Sequence, residues 1–268
     1  MAAPAQSLTG AAVAVLSTAD ASEKAAASRT AAAAWRDGAI EAVGASLPPN
    51  RPDRPARPEL RRPADMPKRG AGQSAAGRIA LLHAIAHIEL NAIDLAWDIV
   101  ARFADAGLPQ AFFDDWVRVA DEEAKHFTLL SERLAALGAA YGDLPAHDGL
   151  WEAAEATAHD LLARLAVVPL VLEARGLDVT PTMIARMTRF GDDETAAVLT
   201  TIYEDEIGHV ATGMRWFAHE CERRGTAPES TWRALVAAHF KGAIKPPFND
   251  DARAQAGMTQ SFYAALSS

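Results

Sequence analysis

Residues 122–127 read EEAKHF and residues 205–210 read DEIGHV, so Glu123 and His126, and again Glu206 and His209, stand three apart. On a helix that spacing puts a carboxylate and an imidazole one turn apart on the same face, where both reach one cation. A single pair of this kind is also what an ordinary solvated helix face carries. Two upstream glutamates change its meaning. Glu89 has Leu82, Ile85, Ala86, Ile93 and Ala96 at stacking positions, while Glu173 closes the run Leu165 to Leu172 with Leu165, Ala166, Leu170 and Leu177 on its face. An ionised carboxylate in an apolar stripe is costly unless it is paired, protonated or metal-bound. Arg164 and Arg175 are the partners at hand for a purely structural role.

The spacing joins the four positions. Glu89 precedes Glu123 by 34 residues and Glu173 precedes Glu206 by 33; Glu123 to Glu206 and His126 to His209 are both 83, and Glu89 to Glu173 is 84. The chain therefore reads as two versions of one hairpin. The first turns at Gly107-Leu108-Pro109, beside the midpoint of Glu89 and Glu123. The second turns beside Gly191, and its glutamates stand at one height only if the segment beyond Gly176–Pro181 continues the direction of the third helix. The 12-residue loop from Gly138 to Gly149 reaches about 40 Å when extended, roughly the length of a 27-residue helix. It can run the length of a bundle and bring four Glu and two His around one interior point, enough for two metal ions with bridging carboxylates.

Helical periodicity and Gly/Pro punctuation predict an all-α fold with long helices at about 74–106, 109–137, 149–176 and 192–223 and a short one near 182–190. The expected organisation is an N-terminal helical extension over 1–47, a Pro/Arg-rich strap over 48–71, a four-helix bundle over 72–224 and a C-terminal helical extension over 225–268 packed on the bundle. In the strap, Pro48, Pro49, Pro52, Pro55, Pro58, Pro63 and Pro67 stop regular helix, and Arg51, Arg54, Arg57, Arg61, Arg62, Lys68 and Arg69 outnumber the acids. It reads as an extended cover on the main domain or as a basic contact for an anionic partner.

Composition narrows the chemistry. The 268 residues are 50% hydrophobic and 23% charged, which suits a globular domain and not a disordered chain. A single cysteine, Cys221, rules out an internal disulfide and thiolate metal sites within the chain, leaving His and carboxylate as ligands. Net charge of −9 disfavours general nucleic-acid binding. No apolar run reaches the roughly 18 residues of a membrane span, and no basic leader is evident, so a cytoplasmic location without membrane contact is expected.

One Glu from each of two helices plus Glu-x-x-His from each of two others is the known arrangement of ferritin-like di-iron and di-manganese carboxylate proteins. The strings HAIAHIELNAIDLAWD, YGDLPAHDGLWE, RLAVVPLVLEARGLDVTP and DEIGHVATGMRWF resemble a bacterial family of uncharacterised ferritin-like proteins, distantly similar to tRNA hydroxylases. The likeness extends to the strap and to FKGAIKPPFN. It implies that Glu89 and His126 bind one metal, Glu173 and His209 the other, and that Glu123 and Glu206 bridge. It also implies that Asp205 supports His126 and Glu122 supports His209.

Oxygen-rich ligation without thiolate suits iron, manganese or a mixed pair. The leading expectation is an oxidoreductase that uses a di-iron centre, O2 and an external electron donor to oxidise or hydroxylate a small molecule. Tyr203, one turn before Glu206, is the candidate catalytic side chain, as hydrogen-bond donor or redox-active phenol, or else simple packing. The alternatives are a ferroxidase or iron-handling protein, whose storage form would be a large oligomer, a tRNA-modifying hydroxylase, and a scaffold with a structural metal. His83, His87 and Asp94 share a helix face and form a weaker second metal candidate.

Overall fold

The computed structural model describes residues 7–62, 65–66 and 72–266; Pro63, Pro67, Lys68 and Arg69 of the strap lie outside them. The described chain is all-α apart from one pair of two-residue strands, and it forms two compact units, Met1–Trp151 and Glu152–Ser268.

The first unit is built on a hairpin of α3 (Ala75–Arg102) and α4 (Gln110–Ala136), close to the expected spans. Ser74 starts α3 by accepting the Gly77 N–H at 3.1 Å. Two short helices precede it: α1 (Leu8–Leu16) packs on α3, and α2 (Ala21–Arg36) packs on α4. Trp97 Nε1 donates to Ser28 Oγ at 2.8 Å and Ser28 Oγ donates to the Ala120 carbonyl at 2.9 Å, so one serine of α2 ties α3 to α4.

The polar side of α3 is not solvated. His83, His87, Asn91, Asp94 and Asp98 are all buried. Lys24 of α2, itself fully buried, donates to Asp94 at 2.5 Å and to the Asp53 carbonyl at 2.9 Å, while Arg54 of the strap pairs with Asp94 at 2.9 Å. Burial lowers the Lys24 pKa and raises that of Asp94, each opposed by the attraction of its partner. Arg102 binds Asp98 at 2.6 Å and reaches the Pro49 carbonyl at 3.1 Å. Further along, Arg51 pairs with Asp148, and β1 (Leu60–Arg61) lies parallel to β2 (Ala146–His147). Over its described residues the strap is a cover, and its Arg51 and Arg54 neutralise carboxylates of the domain beneath it.

By length and composition α3 is the one described helix apolar enough to cross a membrane, but 72% of its most apolar stretch is buried within the protein. Its buried charges and their partners mark a core helix.

In the second unit, α5 (Gly149–Ala156), which begins in the first unit, gives way to α6 (Leu161–Val167), a π-helical turn (Val168–Glu173) and α7 (Ala174–Arg189). The third helix was expected to run unbroken over 149–176 and to break at Gly176–Pro181. Both expectations are corrected. The interruption falls at 157–160, where the Asp160 carboxylate accepts the Leu162 N–H at 3.1 Å and restarts the helix. Gly176 and Pro181 lie inside α7. Pro181 has no N–H for the Leu177 carbonyl, but Asn249 Nδ2 donates to that carbonyl at 3.1 Å, so a residue distant in sequence replaces the missing bond. The condition for matching heights in the second hairpin is thereby met.

α7 packs on α8 (Asp193–Arg224), which ends at Gly225 in the left-handed conformation. α9 (Pro228–His239) lies on α6, and α10 (Asp250–Gln255) lies on α7 and α8. Arg253 of α10 grips Asp178 of α7 through two bonds of 2.8 and 2.7 Å.

Asp94→Asn keeps the side-chain shape but leaves the buried Lys24 ammonium without its counter-ion. Urea unfolding is expected to show a loss of about 3 kcal/mol or more, and the double variant Lys24→Met, Asp94→Asn should recover part of it.

Candidate metal centre

Glu89 projects from the apolar stripe of α3, and Glu123 and His126 project from α4 in the same unit. All three are buried, with 3%, 0% and 0% of their surface exposed. His126 Nδ1 lies 3.2 Å from Glu89 Oε2 and 3.4 Å from Glu123 Oε2, and the three residues offer ligand atoms all within 4.8 Å of one another. This is the first half of the expected ligand set, assembled by one hairpin, and it could hold a metal ion.

Electrostatics fit that use. Burial, reinforced by the adjacent Glu123 charge, pushes Glu89 up to about 8, with the His126 hydrogen bond acting in the opposite sense. Two carboxylates this close in a dry interior repel, and a proton or a cation relieves them. The donors are oxygen and imidazole nitrogen without sulfur, a set that suits iron or manganese. The donor chemistry therefore fits a bound divalent ion.

The second unit repeats the arrangement in part. His209 is fully buried on α8, with Nδ1 3.8 Å from Glu206 Oε2 one turn earlier. Glu173 is half-buried at the end of the π-helical turn. π-helical turns recur at functional sites because the extra residue re-aims a side chain. This one also packs against a glycine of α8: a methyl group on Gly213 would lie 2.4 Å from Pro169 Cβ. The sequence reading missed Gly213, although a glycine inside a long helix, four residues past His209, is the usual signal of close backbone approach.

The two arginines considered as structural partners for the core glutamates bond backbone and hydroxyl groups. Arg164 donates to Thr157 Oγ1 at 2.9 Å and to the Ala154 carbonyl at 2.7 Å; Arg175 donates to the carbonyls of Lys245 and Pro247 at 2.8 and 3.1 Å. Glu122 shares its carboxylate with Arg118 at 3.0 Å, and Asp205 is half-buried on α8. Tyr203 is half-buried, and its oxygen accepts a hydrogen bond from Asn249 Nδ2 at 2.9 Å, a contact that the sequence did not foretell.

His83, His87 and Asp94 do not form a second metal site. Asp94 is neutralised by Lys24 and Arg54. His87 Nε2 donates to the His147 carbonyl at 3.0 Å, so its Nδ1 accepts from Tyr141 Oη at 2.8 Å; His83 Nε2 accepts the Gly142 N–H at 2.9 Å. Burial holds His87 down to about 4. Both rings are neutral fastenings for the loop after α4.

A family model described as "Protein of unknown function (DUF455)" matches residues 17–264. The chain belongs to the DUF455 family. Its relatives include a Haemophilus influenzae protein described as "Uncharacterized protein", 46% identical over 215 residues that make up 77% of this chain and 73% of the relative. No solved structure matches the chain. The match of this DUF455 protein to its family model spans all six glutamate and histidine positions, the described strap and the C-terminal helices.

Glu89 gives a pH dependence with a definite sign. Its folded-state pKa is raised, so its proton stabilises the metal-free chain fully below the ordinary value of 4.5, and that contribution is lost as pH rises through about 8. Thermal unfolding of the metal-free protein should show its midpoint falling across this window. Divalent-metal uptake, which expels the proton, should strengthen over the same window. Glu89→Gln is expected to flatten both curves.

The glycine contact separates two otherwise similar substitutions. Gly213→Ala should destabilise by about 1–3 kcal/mol by overpacking against Pro169 and reduce metal uptake through displacement of the turn that ends in Glu173. Gly176→Ala, where a methyl meets nothing within 4 Å, should stabilise by about 0.5–1 kcal/mol. Thermal unfolding together with metal content per chain checks the pair.

Proposed function

We propose that this protein is a ferritin-like, carboxylate-bridged di-metal oxidoreductase, with α3, α4, the α6–α7 segment and α8 as the four helices of its bundle. The observation that carries the reading is the buried triad of Glu89, Glu123 and His126. We take Glu173, Glu206 and His209 of the second unit to complete a set of six. In this reading Glu89 and His126 hold one ion, Glu173 and His209 the other, and Glu123 and Glu206 lie between them.

The metals proposed are two iron ions, with manganese in one or both positions as the variant. When bound, such a pair supplies the capacity to activate O2 for oxidation or hydroxylation of a small organic substrate, with electrons from an external donor. The chain's own residues hold the charge and the geometry. Four carboxylates neutralise two divalent ions without leaving net charge in the core. His126 and His209 need acceptors for their second ring N–H, and Asp205 and Glu122 are the acids proposed for His126 and His209 respectively. Tyr203, its oxygen loaded by the Asn249 amide, retains its own hydrogen to donate at the Glu206 end of the site.

Anaerobic titration with Fe(II), metal quantification, and Mössbauer spectra before and after O2 test the proposal. The wild-type chain is expected to take up two ions that become magnetically coupled and to consume O2. Glu123→Ala and His209→Ala, each removing a ligand from a different half of the set, should abolish the coupled signal. A wild-type protein that binds no stoichiometric Fe(II), or variants that load as it does, would rule the reading out.

A further inference from the structure

Of the five arginines in the described strap, four have carboxylate partners: Arg51 with Asp148, Arg54 with Asp94, Arg61 with Glu59 and Arg62 with Asp65. Arg57 has none among the described residues. It lines a cavity of about 230 Å³ formed within the first unit by the strap, the start of α2 and the second half of α4. The cavity is open to solvent on the side of the exposed Arg57 and Asp20, and its volume holds about seven or eight water-sized atoms, which admits a molecule the size of alanine or valine.

Asp20 lines the same cavity. Its Oδ1 caps α2 by accepting the N–H groups of Ser22 and Glu23, both at 2.9 Å, and its Oδ2 takes no partner among the described residues. Arg57 and Asp20 form no ion pair with each other, so the cavity presents a cation and an anion at separate points of its wall.

Ser131 supplies a third, independent observation. Its Oγ is buried on the cavity wall without a hydrogen-bond partner. A hydroxyl within a helix commonly returns its hydrogen to the carbonyl four residues back, as Thr128 does to Ala124 at 2.8 Å. Ser131 makes no such bond, and its donor is left for an occupant.

The remaining wall carries no further charge and consists of Ser22, Pro55, small apolar side chains and two fixed rings. Tyr141 and Phe127 meet edge-on at 5.3 Å, Tyr141 stacks on His83 at 5.3 Å, and the Tyr141 hydroxyl is tied to His87. The cavity thus offers rings and the methyl groups of Ala135 and Ala139, not further charge.

We propose that this cavity binds a small α-amino acid as its zwitterion. The carboxylate meets Arg57 and the Ser131 hydroxyl, the ammonium meets Asp20 Oδ2, and a short apolar side chain lies against Phe127 and Tyr141. A plain carboxylate would use only the Arg57 side of the site and a plain amine only the Asp20 side. The site is independent of the metal centre, and its occupant is read without reference to oxidation chemistry.

Isothermal titration of the full chain with L-alanine and L-valine, and with acetate and methylammonium as single-charge probes, tests the proposal. Saturable binding of an amino acid is expected, weakened roughly tenfold or more in Arg57→Gln and in Asp20→Asn, as loss of a charge-assisted hydrogen bond should do. Asparagine still caps a helix, so Asp20→Asn should leave the thermal midpoint unchanged. Absence of saturable binding of both amino acids up to tens of millimolar, acetate binding as tightly as the amino acids, or full affinity in both variants would overturn it.

Discussion

Glu89 and Glu123 meet at a dry interior point, and much of the first unit serves to hold them there. Two carboxylates with an imidazole 3.2–3.4 Å away are stable in the core only if a proton or a cation sits among them. The helices that carry them must then resist the repulsion that would part them when the proton leaves. A long hairpin alone would splay or fray. Here Ser28 fastens α3 to α4 from behind, through the Trp97 indole and the Ala120 carbonyl. The rigidity comes from a helix that carries no ligand.

The same logic accounts for the strap. On α3 the acids Asp94 and Asp98 stand on a different side from Glu89, and they too are buried. Their charge is matched by Lys24, Arg54 and Arg102, delivered by α2, by the strap and by α3 itself. The helix is thus held by ion pairs on one side while the other side keeps its carboxylate for a ligand. Proline-rich backbone suits the covering role, because it needs few internal hydrogen bonds and its carbonyls are free to accept from Lys24 and Arg102.

The helical class, the two hairpins that carry the paired Glu and His positions, and the burial of Glu89 were legible in the sequence because each rests on local period and spacing. What was hidden depends on partners distant along the chain. Gly176 and Pro181 look like a break by every local rule, yet the helix continues, and Asn249, 72 residues after Leu177, donates to the carbonyl that Pro181 leaves stranded. Asp94 with His83 and His87 looks like a ligand stripe until Lys24, 70 residues earlier, is seen to occupy it. The break at 157–160 was missed for a different reason: Asp160 reads as an ordinary polar position unless its capping bond to Leu162 is known.

The two halves repeat a spacing of 83–84 residues, yet they are built differently. In the first half the glutamate that precedes the Glu-x-x-His turn sits mid-way along an unbroken 28-residue helix flanked by further helices. In the second half Glu173 ends a π-helical turn, and the turn is seated by a glycine on α8 and followed by a helix that depends on the C-terminal arm through Asn249 and Arg253. A π-helical turn carries one residue more than the α-helix it interrupts, and such turns recur at functional sites. The repeat in the sequence therefore encodes one half built on straight, buttressed helices, α3 and α4, and one built on a π-helical turn seated against a glycine of α8.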